Sequence, residues 1–434
     1  MARPVRHALF VLCLLALVAG ARPHAAAATE YGVHMDLTFM GYAGERAQSI
    51  ARARDGLGAT ISRSSLLWDK VERTPGQRDW SLPDAVVGEL GAAGLEPLFT
   101  IYGSPAWANG VAPGTPDSRS YVPQDDQAFD AWVESYAGFA REAARRYRGR
   151  VHRWEIGNES NEHFFWKPRP DARRYAQWYR ALRAAILAED PTAQVAVGGL
   201  AGLAAGGDIP GIRFLQQLAA LGVHPEIVAL HPYPSDEHAP DVHLQWKDNF
   251  DDIGMVHDYL ERSGHPARIW VTEWGWSSAR LGAERQAQYT AKSLEMIRDQ
   301  FPYVEVATMF VEHDLPTYSQ GLFRADGTAK PAAGAFARAV RAAGDRAPRV
   351  ARARARAGHR RLRVTASGAD CRTCRGWVVL RGRGRPRRLA MPIIGSRGRL
   401  TVKAAAGRWR WRVVLQDGES GRLARSRVGV VRVR

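Results

Sequence analysis

Two glutamates and the runs that carry them are the first sign of chemistry. Glu159 closes Trp154-Glu155-Ile156-Gly157-Asn158-Glu159, and Glu273 closes Ile269-Trp270-Val271-Thr272-Glu273. In each, an apolar run of strand character ends on a carboxylate. Two carboxylates at neighbouring strand ends suit the breaking of a glycosidic bond. One gives a proton to the leaving oxygen, and the other meets positive charge at the sugar carbon. Polar and aromatic residues gather at the ends of other apolar runs: Arg63 and Trp68, then Tyr102, Ser104 and Trp107, then His231 and Tyr233, then Glu312, His313 and Asp314.

The elements that must position these groups follow from periodicity. From residue 31 to about 343, short apolar strands alternate with amphipathic stretches of helical period. Strands are expected at 31–37, 59–65, 96–101, 151–156, 194–199, 227–231, 269–273 and 304–310, with helices such as 126–147, 171–189 and 284–300. Asp126 and Asp171 suit helix caps or first-turn acids. Eight such units predict a (β/α)₈ TIM barrel, an α/β fold whose chemistry lies on loops at the carboxyl ends of the strands. Glu159 and Glu273 then share one rim, 114 positions apart.

On these residues the segment 30–343 resembles clan A retaining glycoside hydrolases, most nearly the family 39 and family 5 types. The likeness rests on Asn158-Glu159 after the fourth strand and Thr272-Glu273-Trp274 after the seventh. It extends to Gly103-Ser104-Pro105-Ala106-Trp107, His231-Pro232-Tyr233 and Gly321-Leu322-Phe323. The resemblance implies that Glu159 is the general acid/base and Glu273 the nucleophile of a double displacement on a β-linked glycan. It implies that Asn158 donates to the sugar 2-hydroxyl, against the plainer reading of a turn asparagine. Arg63 and Tyr233 are candidate donors to the nucleophile, with Arg63 alternatively neutralising Glu155. His231 either meets substrate, orients the nucleophile or is a structural histidine. Trp107, Trp274 and Trp276 are candidate walls for a sugar, whereas Trp154 suits packing. Two features depart from the family: Gly157 stands where many relatives have Trp, and the eighth strand has Phe310 but no Trp. A second reading is a non-catalytic glycan-binding or cell-wall-attached barrel protein, since fold alone does not define activity.

No cofactor is expected. His238 and His243 lack metal-ligand spacing, so no catalytic metal is expected either. Arg3 and Arg6 precede an apolar run at 8–19, and 25–28 is a stretch of Ala; residues 1–28 therefore read as a signal peptide and the protein as secreted, with cell-wall association open. The net charge of +17 is uneven. Residues 346–434 hold 26 Lys and Arg against 3 Asp and Glu, a net of +23, which leaves −6 on the rest. That asymmetry divides the chain into a barrel at 29–345, an Arg/Ala linker at 346–358 and a basic antiparallel β-sandwich at 359–434. Cys371 and Cys374 are read as a local disulfide, because zinc needs more ligands than one pair supplies. The basic domain suits an anionic cell-wall polymer or acidic polysaccharide. The sequence holds no specific nucleic-acid recognition motif.

Overall fold

The computed structural model describes residues 29–38, 45–112, 114–344 and 349–433, apart from 359, 370–374, 383–386, 395–396, 417–422 and 427. The expected signal peptide and the Cys371–Cys374 pairing lie outside these residues. Eight parallel strands close into one barrel in sequence order: β1 (Glu30–His34), β2 (Ile61–Leu67), β3 (Glu96–Tyr102), β4 (Arg153–Ile156), β5 (Gln194–Leu200), β6 (Ile227–Leu230), β7 (Arg268–Val271) and β8 (Val304–Met309). β1 pairs β8 through Tyr31↔Ala307, which completes the circle. Among the described residues no helix is long and apolar enough to cross a membrane.

Each strand shows one face to the helices and the other to the barrel axis, because side chains alternate along a strand. The outward residues join a large core with helices such as Asp126–Tyr147 and Ala172–Glu189. Both helices start at an aspartate. Asp125 accepts from the Ala128 amide, so Asp126 is the first-turn acid and not the cap; Asp171 accepts from Arg173 and Arg174.

The inward residues form layers. The lower one is apolar: Ile61, Leu98, Ala196, Ile227, Ala229, Trp270 and Val306 fill the axis. Directly above it, Arg63, Thr100, Glu155, Thr272 and Thr308 are all buried. Glu155 accepts from Arg63 Nε (2.8 Å), Thr100 (2.7 Å), Thr272 (2.8 Å) and the Gly199 amide (2.9 Å). A carboxylate with four donors is compensated for its lost hydration. Burial alone would raise its pKa, but the Arg63 charge and these donors hold it below the usual carboxylate range.

The C-terminal region is a β-sandwich. One sheet contains β9 (Arg349–Gly358), β10 (Arg361–Ala369), β14 (Arg397–Lys403) and β13 (Ile393–Ile394). The other contains β11 (Arg375–Arg381), β12 (Arg387–Met391), β15 (Gly407–Gln416), β16 (Leu423–Arg425) and β17 (Gly429–Val433). Leu362 and Val364 of the first share a core with Val378, Leu380, Trp409 and Trp411 of the second. The stretch expected as a linker is largely strand β9, paired antiparallel with β10. Its Arg/Ala repeat has period two, which places Ala353 and Ala355 against the core and sends Arg354 and Arg356 to solvent.

Glu155→Ala removes the fully buried partner of Arg63 Nε and leaves Glu273 as its one remaining carboxylate, so unfolding titrations should show a loss of about 3–5 kcal/mol. A loss within about 0.5 kcal/mol, the range of an ordinary surface change, would contradict the layered interior.

Candidate active site

The turn after β4 brings Glu159 over the barrel mouth. Gly157 has φ +87°, and a side chain there would meet Ser160 Oγ at 2.4 Å, which explains why no Trp stands at this position. Glu159 itself has φ +43°, in the left-handed region that a residue with a Cβ enters at a cost. Its amide donates to Gly199 O (2.9 Å), and Asn161 Nδ2 binds Ala201 O and Ile209 O, so the turn is tied to the loop after β5. Glu273 lies two residues beyond β7, where Thr308 Oγ1 holds Thr272 O (2.7 Å).

The two carboxylates converge. One oxygen of Glu159, one of Glu273 and a ring nitrogen of His231 all lie within 4.8 Å of one another. The environments differ, however. Glu273 accepts from Arg63 Nη1 (2.5 Å) and from the Tyr233 hydroxyl (3.1 Å). Glu159 faces His231, Nδ1 to Oε1 2.7 Å, with no direct cation. Burial pushes the Glu159 carboxyl up to about 7; Arg63 pulls it down and the negative Glu155 adds to the rise. Burial also lowers His231 to about 4, so this imidazole is neutral at pH 7. One carboxyl is thereby kept protonated near neutrality while its neighbour is supplied with two donors.

Arg63 joins these groups. Besides Glu155 and Glu273 it donates to Asn158 Oδ1 (2.9 Å) and to His34 Nδ1 (2.8 Å). A guanidinium can only donate, so His34 accepts at Nδ1 and carries its proton on Nε2. Burial and the Arg63 charge lower the His34 pKa well below its ordinary value. The alternatives for Arg63 are both realised: it neutralises Glu155 and also donates to Glu273. Asn158 presents its oxygen to Arg63, and its Nδ2 makes no hydrogen bond among the described residues. Tyr233 donates to Glu273, and His231 bonds Glu159 rather than Glu273, whose Oε2 lies at 3.8 Å.

The tryptophan expectations need correction. Trp274 and Trp276 are fully buried and cannot wall an open cleft. Beyond β7, Glu273 turns inward and Trp274 outward, where its Nε1 donates to Ser293 Oγ (3.0 Å) on helix Ala283–Asp299; Trp276 Nε1 donates to His238 O (3.0 Å). Trp107 is 39% exposed but lies edge-on to Trp68 and donates to Glu72 O. Trp154 is core, as expected. Phe310 reaches the cluster through His34, ring centroids 5.2 Å apart.

Sequence reasoning missed His34 and Gly199. His34 ends β1 and faces inward, a parity signal open to anyone who fixes the strand register. Gly199 carried no such signal: a Cβ there would sit 2.1 Å from His231 Nε2, a contact that only the fold creates. Among the described residues three groups have ligand types and spacing that could hold a cation: Glu159–His231–Glu273, Glu162–His163–Asp208 and His243–Asp251–Asp252. In the first, the Arg63 guanidinium already stands against Glu273 as a fixed positive charge.

No family model and no curated protein matches the sequence. Among solved structures, a family 39 glycoside hydrolase from Bacteroides cellulosilyticus is similar at 18% identity and TM-score 0.59, over 89% of this chain and 81% of that one. A GH5_18 protein from Streptomyces cattleya, solved with GlcNAc, is similar at 18% identity and TM-score 0.56, over 74% and 81%. A monomeric β-xylosidase from Caulobacter crescentus is similar at 15% identity and TM-score 0.54, over 90% and 95%. The chain shares the fold of these proteins.

Gly199→Ala should displace the His231 ring and cost about 1–3 kcal/mol by overpacking. Gly88→Ala, in an open helical position with nothing within 4 Å, should be neutral or stabilising. Equal effects of the two changes on thermal unfolding would contradict the packing described for His231.

Proposed function

We propose that the protein is a secreted retaining glycoside hydrolase acting on β-linked glycans. One observation carries the reading: carboxylate oxygens of Glu159 and Glu273 lie within 4.8 Å of each other. Retaining pairs stand about 5–5.5 Å apart, whereas an inverting pair needs about 6.5–9.5 Å to admit a water between them. The fold shared with glycoside hydrolases and the opposed carboxyl environments support the same reading.

Glu159, kept protonated by burial, gives its proton to the leaving oxygen. Glu273, held by Arg63 and Tyr233, attacks the anomeric carbon, and an ester forms as the glycosidic C–O bond breaks. Esterification removes the charge of Glu273. Arg63 then loses one of its carboxylate partners, and its less shielded field pulls the Glu159 pKa down. Glu159 in its ionised form takes the proton from water, whose oxygen attacks the same carbon and releases Glu273. The free amide of Asn158 suits the sugar 2-hydroxyl, a contact that strengthens in the transition state. In this reading the basic C-terminal domain holds the enzyme to an anionic cell-wall polymer or acidic polysaccharide.

Hydrolysis of aryl β-glycosides and a polysaccharide panel tests the assignment. Glu273→Gln should abolish measurable turnover. Glu159→Gln should lower kcat about 10²–10⁴-fold on substrates with poorly acidic leaving groups, and much less on dinitrophenyl glycosides, which leave without a proton. Wild-type rates in either variant would remove these roles. Because protonated Glu159 is the active form, kcat/KM should fall as pH rises through about 7. That basic limb should vanish in Glu159→Gln. Turnover should survive chelation; loss restored by a divalent cation would assign the Glu159–His231–Glu273 trio to a metal instead.

A further inference from the structure

The outer face of the five-stranded sheet in the C-terminal domain is laid out as a grid of guanidiniums. Cross-strand register sets Arg408 opposite Arg432, and Arg410 between Arg381 and Val430. The next row joins Arg412 to Val379 and Val379 to Arg388. Neighbouring strands stand about 4.8 Å apart and same-face residues about 6.8 Å apart, so these charges repel at short range. Asp370, Asp417 and Glu419 are the only acidic residues from 346 onward, all outside the described residues. Arg412 Nε is buried there without an acceptor, which costs free energy.

The grid also has relief. A groove of about 620 Å³ is lined by Gly382, Gly407, Arg408, Val430, Val431 and Arg432. Gly382 lets the chain lie directly on the Trp409 ring beneath the groove, since a Cβ there would come within 2.8 Å of it. Val430, 50% exposed, stands beside the arginines. The surface therefore offers paired cations next to small apolar patches.

We infer that this face binds a carboxylated polysaccharide, seated along the Arg408–Arg432 groove. Guanidiniums fork carboxylates through two parallel hydrogen bonds, and a cross-strand pair presents two forks to successive acidic sugars. Valines between them meet the C–H faces of the rings. Nucleic acid fits less well: Trp377, the only aromatic ring on this face among the described residues, is covered by Arg388 at 3.8 Å, which leaves no open ring for base stacking. A bilayer fits less well because, among the described residues, this face exposes no apolar side chain larger than valine to insert. The opposite sheet is equally basic, with Arg356 opposite Arg363 and Arg361 opposite Lys403, but among its described residues no exposed large apolar side chain interrupts the charge. The inference rests on the glycan-acting reading only for its choice of polymer.

The two faces give a charge-matched test in the full chain. Affinity for polygalacturonate is measured for wild type, Arg408→Ala/Arg410→Ala/Arg432→Ala and Arg356→Ala/Arg361→Ala/Arg363→Ala, with polyphosphate and duplex DNA as competitors. The first triple variant should lose about tenfold or more. The second should lose under about threefold. Arg408→Lys/Arg432→Lys, which keeps charge but removes the forks, guards against misfolding of the first and should lose affinity as well. Equal losses from both faces, full retention in the lysine variant, or tighter binding of polyphosphate or DNA would overturn the assignment. Aryl-glycoside turnover, followed in parallel, should be unchanged in all variants; its absence in wild type would sink the hydrolase reading while leaving the binding result intact.

Discussion

The site depends on one guanidinium held inside the barrel. Arg63 is almost fully buried, and its donors reach Glu155, Glu273, Asn158 and His34. Burying a cation is costly unless it is paired and its donors are satisfied. Glu155 supplies the fixed partner, itself held by Thr100, Thr272 and Gly199. The lower apolar layer then acts as a dry floor that keeps water from competing with these bonds. With one edge of Arg63 fixed by the interior, its other edge has a set direction, and Glu273 and Asn158 take their places against it. The ion pair thus contributes geometry more than net stability.

The same arrangement separates two chemically identical side chains. Glu273 has Arg63 and Tyr233 as donors; Glu159 has only a neutral histidine and a buried setting. In a low-dielectric site a carboxyl without a paired cation is held in its protonated form, as burial does for Glu159. His231 would weaken this contrast if it were charged, since it would then favour ionised Glu159. Its burial, tightened by the close approach of Gly199, holds it neutral. The strained backbone at Glu159 fits the same picture. The turn gives up local comfort to aim that carboxyl across the mouth at its partner.

Much of this was legible in the sequence because parallel barrels repeat a simple rule. Alternation along β4 turned Glu155 inward, and near-continuous apolar runs located all eight strands within a few residues. Tertiary contact decided what alternation could not. Trp274 and Trp276 looked like sugar platforms by composition and position, and alternation from Trp270 and Thr272 would turn them inward, yet the chain breaks parity at Glu273 and sends Trp274 under the helix Ala283–Asp299. Nothing local distinguishes a tryptophan that covers a helix from one that lines a cleft. The strand β9 was hidden for a different reason: alanine is a weak strand former, and Arg/Ala repetition resembles a linker until a partner strand gives its apolar face something to cover.

That last case bears on why the C-terminal domain carries so much charge. A two-sheet sandwich has two outer faces, and every second residue of each strand must point to solvent. Filling those positions with arginine keeps both faces soluble, and on that count alone the two sheets are alike. Solubility does not ask for a bare groove, a guanidinium nitrogen buried without an acceptor, or valines set between the charges. Those features occur on the five-stranded side, where they raise the free energy of the isolated domain. A partner that brings carboxylates and apolar ring faces together would fill the groove and cover the valines, whereas a merely solubilising surface would have no use for the difference between its two sides.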